Sequence, residues 1–185
     1  MTGRPIIGVL ALQGAVDLHR PHIEAAGAQF KAVKTPKDFE VVDAFILPGG
    51  ESTTMLKLIE RFSLWDSLAE NFAAKPVWGI CAGSILMAEK VLNPAQKSFA
   101  LLPITVQRNA YGTQKQSHTA QIDGYDVSFI RAPVIQDVDP SVEVLARHNG
   151  DPVWVKKGQY MATTFHPELT LDFPSPMHKA FVEMI

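Results

Sequence analysis

Residues 6–12 are apolar without alternation, as expected for a strand covered on both faces. Gln13-Gly14 turns the chain, and a helix is predicted from there to about Ala26, where Gly27 stops it. Pro21 inside that helix implies either a late start or a kink. Residues 29–33 and 43–47 are the next strands, the latter ending at Pro48-Gly49-Gly50-Glu51-Ser52-Thr53-Thr54. Two helical segments follow, about 54–62 and 64–74. The apolar run after Pro76 is a buried strand, and residues 84–88 start another helix. Strands alternating with helices at this spacing predict βαβ units and a parallel sheet.

Beyond Ala88 the texture changes to short strand-like runs separated by turn residues: 102–108, 119–122, 127–130, 142–146, 153–156 and 160–165. They predict a β-rich, partly antiparallel second half that extends or caps the main sheet. A terminal helix covers about 175–184. No repeat, low-complexity tract or linker divides the chain, so one domain over residues 1–185 is expected.

Composition alters this picture little. With 46% apolar and 19% charged residues, the chain reads as an ordinary globule. A net charge of −2 gives no basis for binding nucleic acid or an anionic membrane. No apolar run approaches the ~20 residues that span a bilayer. Residues 1–5 lack a basic region feeding a long apolar stretch, so no signal peptide is expected. The expected compartment is therefore the cytoplasm, where a free thiol persists. One cysteine in the whole chain excludes an intrachain disulfide and any multi-thiolate metal site.

That cysteine sits where chemistry is done. Gly79-Ile80-Cys81-Ala82-Gly83 joins a strand to a helix, with a nucleophile at the tip of the turn. A turn this sharp strains the nucleophile's backbone, and side chains flanking it would clash, hence the glycines. The helix start offers free N–H groups to negative charge on sulfur. A base and its orienter are available in Phe165-His166-Pro167-Glu168, where residues two apart in an extended segment project to one side. One His and one Glu without a thiol pair make a poor metal site. The other histidines are less persuasive: His19 and His22 on the first helix, His118 in a polar loop, His148 in a turn, His178 on the last helix. Gly49-Gly50-Glu51-Ser52 lies after a strand and lacks the ending of a phosphate loop. Its bare N–H groups suit an oxyanion, with Ala82 N–H as second donor.

The combination resembles the class I, or triad, glutamine amidotransferases, and within them the glutaminase subunits of pyridoxal 5′-phosphate synthase. The matching segments are Gly8-Val-Leu-Ala-Leu-Gln-Gly-Ala15, Leu47-Pro-Gly-Gly-Glu-Ser-Thr-Thr-Met55, the elbow, Arg108-Asn109, Phe129-Ile-Arg-Ala-Pro133, His148-Asn-Gly150 and Phe165-His-Pro-Glu-Leu-Thr170. The resemblance implies a flavodoxin-like three-layer α/β sandwich with no cofactor. It implies that Cys81 attacks the carboxamide of L-glutamine, that His166 moves the protons, and that Glu168 holds His166. Gly50 and Ala82 would form the oxyanion hole. Gly50, Glu51, Ser52, Arg108, Ile130 and Arg131 would bind glutamine, a carboxylate suiting its α-ammonium and arginine its α-carboxylate. Ammonia would pass to a separate synthase subunit in a large hetero-oligomer that builds pyridoxal 5′-phosphate.

Two stretches depart from the family pattern. Thr113 and Gln116-Ser117-His118 stand where the family has Arg and Asp-Ser-Phe, and Lys97-Ser98-Phe99-Ala100 lacks the usual glycine. The rival readings are a Cys-elbow hydrolase and a thiol-based sensor of the same fold. Glu51 with two arginines argues against the first, and the His166/Glu168 pair against the second.

Overall fold

The computed structural model describes residues 3–109 and 117–185. Strands and helices alternate as far as the elbow: β1 (Ile6–Leu10), a 3₁₀ turn (Asp17–His19) running into α1 (Arg20–Ala25), β2 (Gln29–Val33), α2 (Pro36–Glu40), β3 (Ala44–Leu47), α3 (Ser52–Arg61), α4 (Trp65–Ala74), β4 (Val77–Ile80) and α5 (Ala82–Met87). Eight strands follow: β5 (Ala88–Leu92), β6 (Leu102–Gln107), β7 (His118–Ile122), β8 (Tyr125–Phe129), β9 (Val134–Val138), β10 (Glu143–His148), β11 (Asp151–Lys157) and β12 (Tyr160–Thr163). A 3₁₀ turn (Pro167–Leu169) and α6 (Pro176–Val182) end the chain.

Seven strands form the central sheet, in the order β10-β11-β12-β4-β3-β1-β2. The five from β12 to β2 run parallel, and β11 and β10 add an antiparallel edge. The strand order reverses at β1, as in doubly wound α/β folds, which bind ligands at the carboxyl ends of their strands. Here those ends are Leu10, Leu47, Ile80 and Thr163, so one sheet edge gathers the loops that begin at Gln13, Gly49, Cys81 and Thr164.

Each face of the sheet carries its own core. On one side α3, α4 and α5 bury Met55, Ile59, Leu68 and Phe72 against Phe45, Leu47 and Val77. On the other, Ile23 of α1 and Met177 and Phe181 of α6 pack on Ile46, Trp78 and Ile80. Helices on both faces of a mixed, mostly parallel sheet make the three layers expected from the sequence. Met55 and Ile59, one turn apart, fix which side of α3 faces inward, each contributing roughly 1.5–3 kcal/mol on burial. Pro21 lies in the first turn of α1, so the late start holds rather than the kink.

The second half is β-rich and partly antiparallel, as expected. β12 enters the main sheet parallel to β4, and β5 pairs parallel with β6 before β9 joins antiparallel. β7 and β8 form a separate hairpin. The helix expected to begin near Ser84 ends at Met87. The carbonyls of Leu86 and Met87 accept the N–H groups of Phe99 and Leu101, so strand-like pairing replaces the next turn.

Candidate active site

Cys81 has φ 49° and ψ −105°, a left-handed conformation that a non-glycine residue adopts only under restraint. The restraint comes from both sides. Cys81 N–H donates to Thr163 O (2.8 Å), while Cys81 O accepts from Ser84 N–H (3.0 Å) and Ser84 Oγ–H (2.6 Å). The flanking glycines are needed for close approach. A Cβ on Gly79 would lie 2.5 Å from Gly83 O, and one on Gly83 would lie 2.0 Å from Leu47 O. The turn therefore presses α5 onto β3 and β4 and lifts Cys81 to the sheet edge.

His166 follows β12 and is pinned through its backbone to β8, N–H to Ser128 O at 2.8 Å and O from Ser128 N–H at 3.3 Å. Its Nδ1 lies 2.7 Å from Glu168 Oε1, and Glu168 is 1% exposed. The pairing is reached by a different route from the one expected: Pro167–Leu169 is a 3₁₀ turn, not an extended segment. Cys81 and the imidazole line the same cavity. Burial alone would push the imidazolium down. The Cys81 and Glu168 hydrogen bonds and charges outweigh it and raise the His166 pKa to about 10. Burial likewise opposes ionisation of Glu168, and His166 and His19 overcome it, so its carboxyl stays below the usual range.

A cavity of about 280 Å³ opens in front of Cys81, small as ligand sites go and matched to an amino-acid-sized guest. Gly50, Glu51, Ser52, Arg108, Ile130 and Arg131 all line it, as do Cys81, Ala82 and His166; Glu168 stands behind the imidazole. Glu51 and Arg131 pair across its mouth at 2.9 Å, both well exposed. Arg108 Nη2 donates to Thr53 Oγ1 (2.7 Å) at the start of α3, and Ser52 Oγ–H to Gln96 Oε1 (3.2 Å). Ile130 offers its backbone: its carbonyl is 3.9 Å from Cys81 Sγ.

The Gly49–Gly50 peptide is held from behind. Gly49 O accepts from Ala15 N–H (3.2 Å), and Gly50 has φ 156°, open to glycine. A Cβ on Gly49 would fall 2.2 Å from His166 Cε1. Gln13, read from sequence only as a turn residue, belongs to this assembly: its Oε1 accepts from Glu51 N–H at 2.8 Å and it lines the cavity. Its position at the carboxyl end of β1 was the available signal.

His118 and His148 are placed differently from expectation. His118 begins β7 and His148 ends β10, with their Nε2 atoms 3.1 Å apart beside Phe129. Thr113 and Gln116 lie outside the described residues. Among the described residues no group of three or more potential ligands is arranged to hold a metal ion, and no helix is long and apolar enough to cross a membrane.

A thiol on a strand–helix elbow, backed by a His–Glu pair at the carboxyl edge of a doubly wound sheet, defines the class of thiol-dependent amidotransferase-like α/β proteins. Residues 9–185 match the SNO glutamine amidotransferase family, and the chain belongs to it. It is 44% identical over 191 residues to the pyridoxal 5′-phosphate synthase subunit PdxT of Solibacter usitatus, covering 97% of this chain and 98% of that one. To the protein of the same name from Bacillus cytotoxicus it is 46% identical over 186 residues, covering 97% and 94%. A crystal structure of a glutamine amidotransferase superposes with a TM-score of 0.86 at 36% identity, covering 96% of this chain and 97% of that one.

Proposed function

We propose that this chain is the glutaminase subunit of a pyridoxal 5′-phosphate synthase, releasing ammonia from L-glutamine through Cys81, His166 and Glu168. The observation that carries the reading is the coincidence of three things at one cavity: a thiol on a strained elbow, a histidine paired with a buried carboxylate, and an ion pair at the mouth. The Glu51–Arg131 pair is solvent-exposed, worth at most about 1 kcal/mol, and so opens readily. Glutamine's zwitterion replaces it with two complementary contacts, α-ammonium to Glu51 and α-carboxylate to Arg131 and Arg108. The side-chain amide then points inward to the thiol.

Cys81 Sγ attacks the carboxamide carbon, and the C=O electrons move to oxygen, which the N–H groups of Gly50 and Ala82 receive. His166, protonated at neutral pH, gives its proton to the departing nitrogen as the C–N bond breaks. Ammonia leaves, and a glutamyl thioester remains. Water then loses a proton to His166 and attacks the thioester, giving glutamate and restoring Cys81. Glu168 keeps Nδ1–H of His166 engaged through both steps.

The relatives named as pyridoxal 5′-phosphate synthase subunits support a synthase partner as the ammonia acceptor, in a hetero-oligomer that builds pyridoxal 5′-phosphate. We place the chain in the cytoplasm as a single domain; cell fractionation and limited proteolysis test these two points. The central test is stoichiometric glutamate and ammonia production from glutamine with the cognate synthase subunit present. Cys81→Ser should abolish it, since a serine hydroxyl is far less ionised than a thiol. Near-normal turnover by Cys81→Ser refutes the assignment.

A further inference from the structure

Behind Glu168 lies a second polar group, buried against the apolar layer of α1 and α6. His19, His22 and Ser175 are fully buried and His178 is 1% exposed. Their hydrogen bonds run to one another. Ser175 Oγ lies 2.6 Å from His178 Nδ1 and also accepts from the His178 backbone N–H (3.1 Å). His178 Nε2 lies 2.9 Å from His19 Nδ1. His22 accepts on Nδ1 from Ser175 N–H (3.0 Å), which puts its proton on Nε2, a buried atom with no partner among the described residues. Burial keeps all three imidazoles neutral at pH 7.

Two atoms end this chain of bonds. His19 Nε2 and Glu168 Oε2 are both buried and have no partner among the described residues. The turns that carry them, Asp17–His19 and Pro167–Leu169, pack against each other, and the carboxylate's charge acts on the His19 ring. A neutral imidazole carries one proton, so the row has two possible directions. In one, His19 holds its proton on Nδ1 and sets a bare Nε2 lone pair in the field of the carboxylate. In the other, Ser175 donates to His178 Nδ1, His178 Nε2–H donates to His19 Nδ1, and His19 is left with Nε2–H. The charge on Glu168 selects the second. One ordered water or a small ring shift then completes the contact, meeting two groups that would otherwise stay buried and unpaired.

We propose that Ser175, His178 and His19 form a hydrogen-bonded array presenting His19 Nε2–H to Glu168 Oε2, which makes His19 a positioning residue for the carboxylate that orients His166. Oε1 is committed to His166, and a donor at Oε2 stops the carboxylate from rotating away from the ring. His22 braces the array through the backbone N–H of Ser175. The assignment rests on the triad reading given under Proposed function.

The test is a double-mutant cycle on glutaminase turnover, with the synthase subunit present and folding checked by thermal unfolding. His19→Leu should lower kcat about tenfold and leave KM for glutamine within about twofold. His19→Gln, which retains an N–H at similar reach, should recover most of that loss. In a Glu168→Ala background, His19→Leu should change kcat by less than about twofold, because no carboxylate remains to be positioned. An equal fall in both backgrounds overturns the proposal, as it marks a merely structural role. So does unchanged turnover of His19→Leu beside an impaired Glu168→Ala. Undiminished turnover of Glu168→Ala itself rejects instead the triad reading. If His19→Leu does not fold, the same cycle with Ser175→Ala decides, since losing the hydroxyl frees the row to reverse.

Discussion

His166 and Glu168 differ in what their loss removes. Without the imidazole there is neither acid for the leaving nitrogen nor base for water, whereas without the carboxylate the ring remains but is less well held. His166→Asn is therefore expected to be close to inactive, and Glu168→Gln to retain more kcat; the reverse order in steady-state assays would exchange their roles. The same pair predicts a pH dependence of stability. His166 has a folded pKa of about 10 against an ordinary 6.5, so its contribution is complete below about 6.5 and is lost as pH rises through about 10. The buried neutral imidazoles act with opposite sign. His19 is lowered to about 4, and its contribution is present above 6.5 and lost as pH falls toward 4. Thermal unfolding should give a dome with both limbs, and His166→Asn should flatten the alkaline one. A wild-type melting temperature that does not change between pH 7 and 10 contradicts the argument. At this scale the gathering of Cys81 with the His166–Glu168 pair was legible because their types and spacing suggest a chemistry. His19, His22 and His178 were not, because what distinguishes them is mutual burial across 159 residues of chain.

The elements most visible in sequence were the continuous apolar runs and the amphipathic helices: β1, β3, β4, α3 and α4 all lie where the apolar pattern put them. α2, β5 and β9 were missed, and each is short and set by local or tertiary bonding. α2 has five residues and depends on a capping box between Thr35 and Asp38, a signal the sequence did contain. β5 exists because it pairs with β6, brought alongside by residues 99–101 bonding to the end of α5, which no local pattern announces. That same connection carries the family's missing glycine. Ala100 has φ 52°, in the region that costs a residue with a Cβ roughly 1–2 kcal/mol. Ala100→Gly relieves this, offset in part by the greater freedom of glycine in the unfolded chain. A net gain of about 0.5–1 kcal/mol is expected, which in a domain of this size raises the melting temperature by about 1–4 °C. A fall in melting temperature would show that Ala100's methyl contributes packing that outweighs the strain.

At the scale of the whole molecule, parallel topology does what no single motif does: it brings loops from residues 13, 49, 81 and 166 to one edge. The alternation of strands and helices made a parallel sheet legible, but not that β12, from the far end of the chain, would lie beside β4 and deliver His166. The same arrangement leaves the site at the sheet's rim, with the Glu51–Arg131 pair exposed to water. Ammonia released there into neutral water becomes mostly ammonium, which is not a nucleophile, so productive transfer needs a protein that covers this edge and excludes water. The Gly49–Gly50 peptide gives such a partner something to act on. It is tied by the Ala15 N–H at 3.2 Å and by Gln13 bonding the next amide, both from the loop after β1. If Gly50 N–H is an oxyanion donor as proposed, a partner that presses on this loop would re-aim it, and one such donor is worth roughly 10²–10³ in rate. The isolated chain should therefore hydrolyse glutamine weakly, and adding the cognate synthase subunit should raise kcat by a factor of that order. The measurement is glutamate formed by purified protein with and without the synthase, alongside a binding titration. Full activity in isolation, unchanged by a partner shown to bind, would reject activation through the oxyanion peptide and leave the roles of Cys81, His166 and Glu168 untouched.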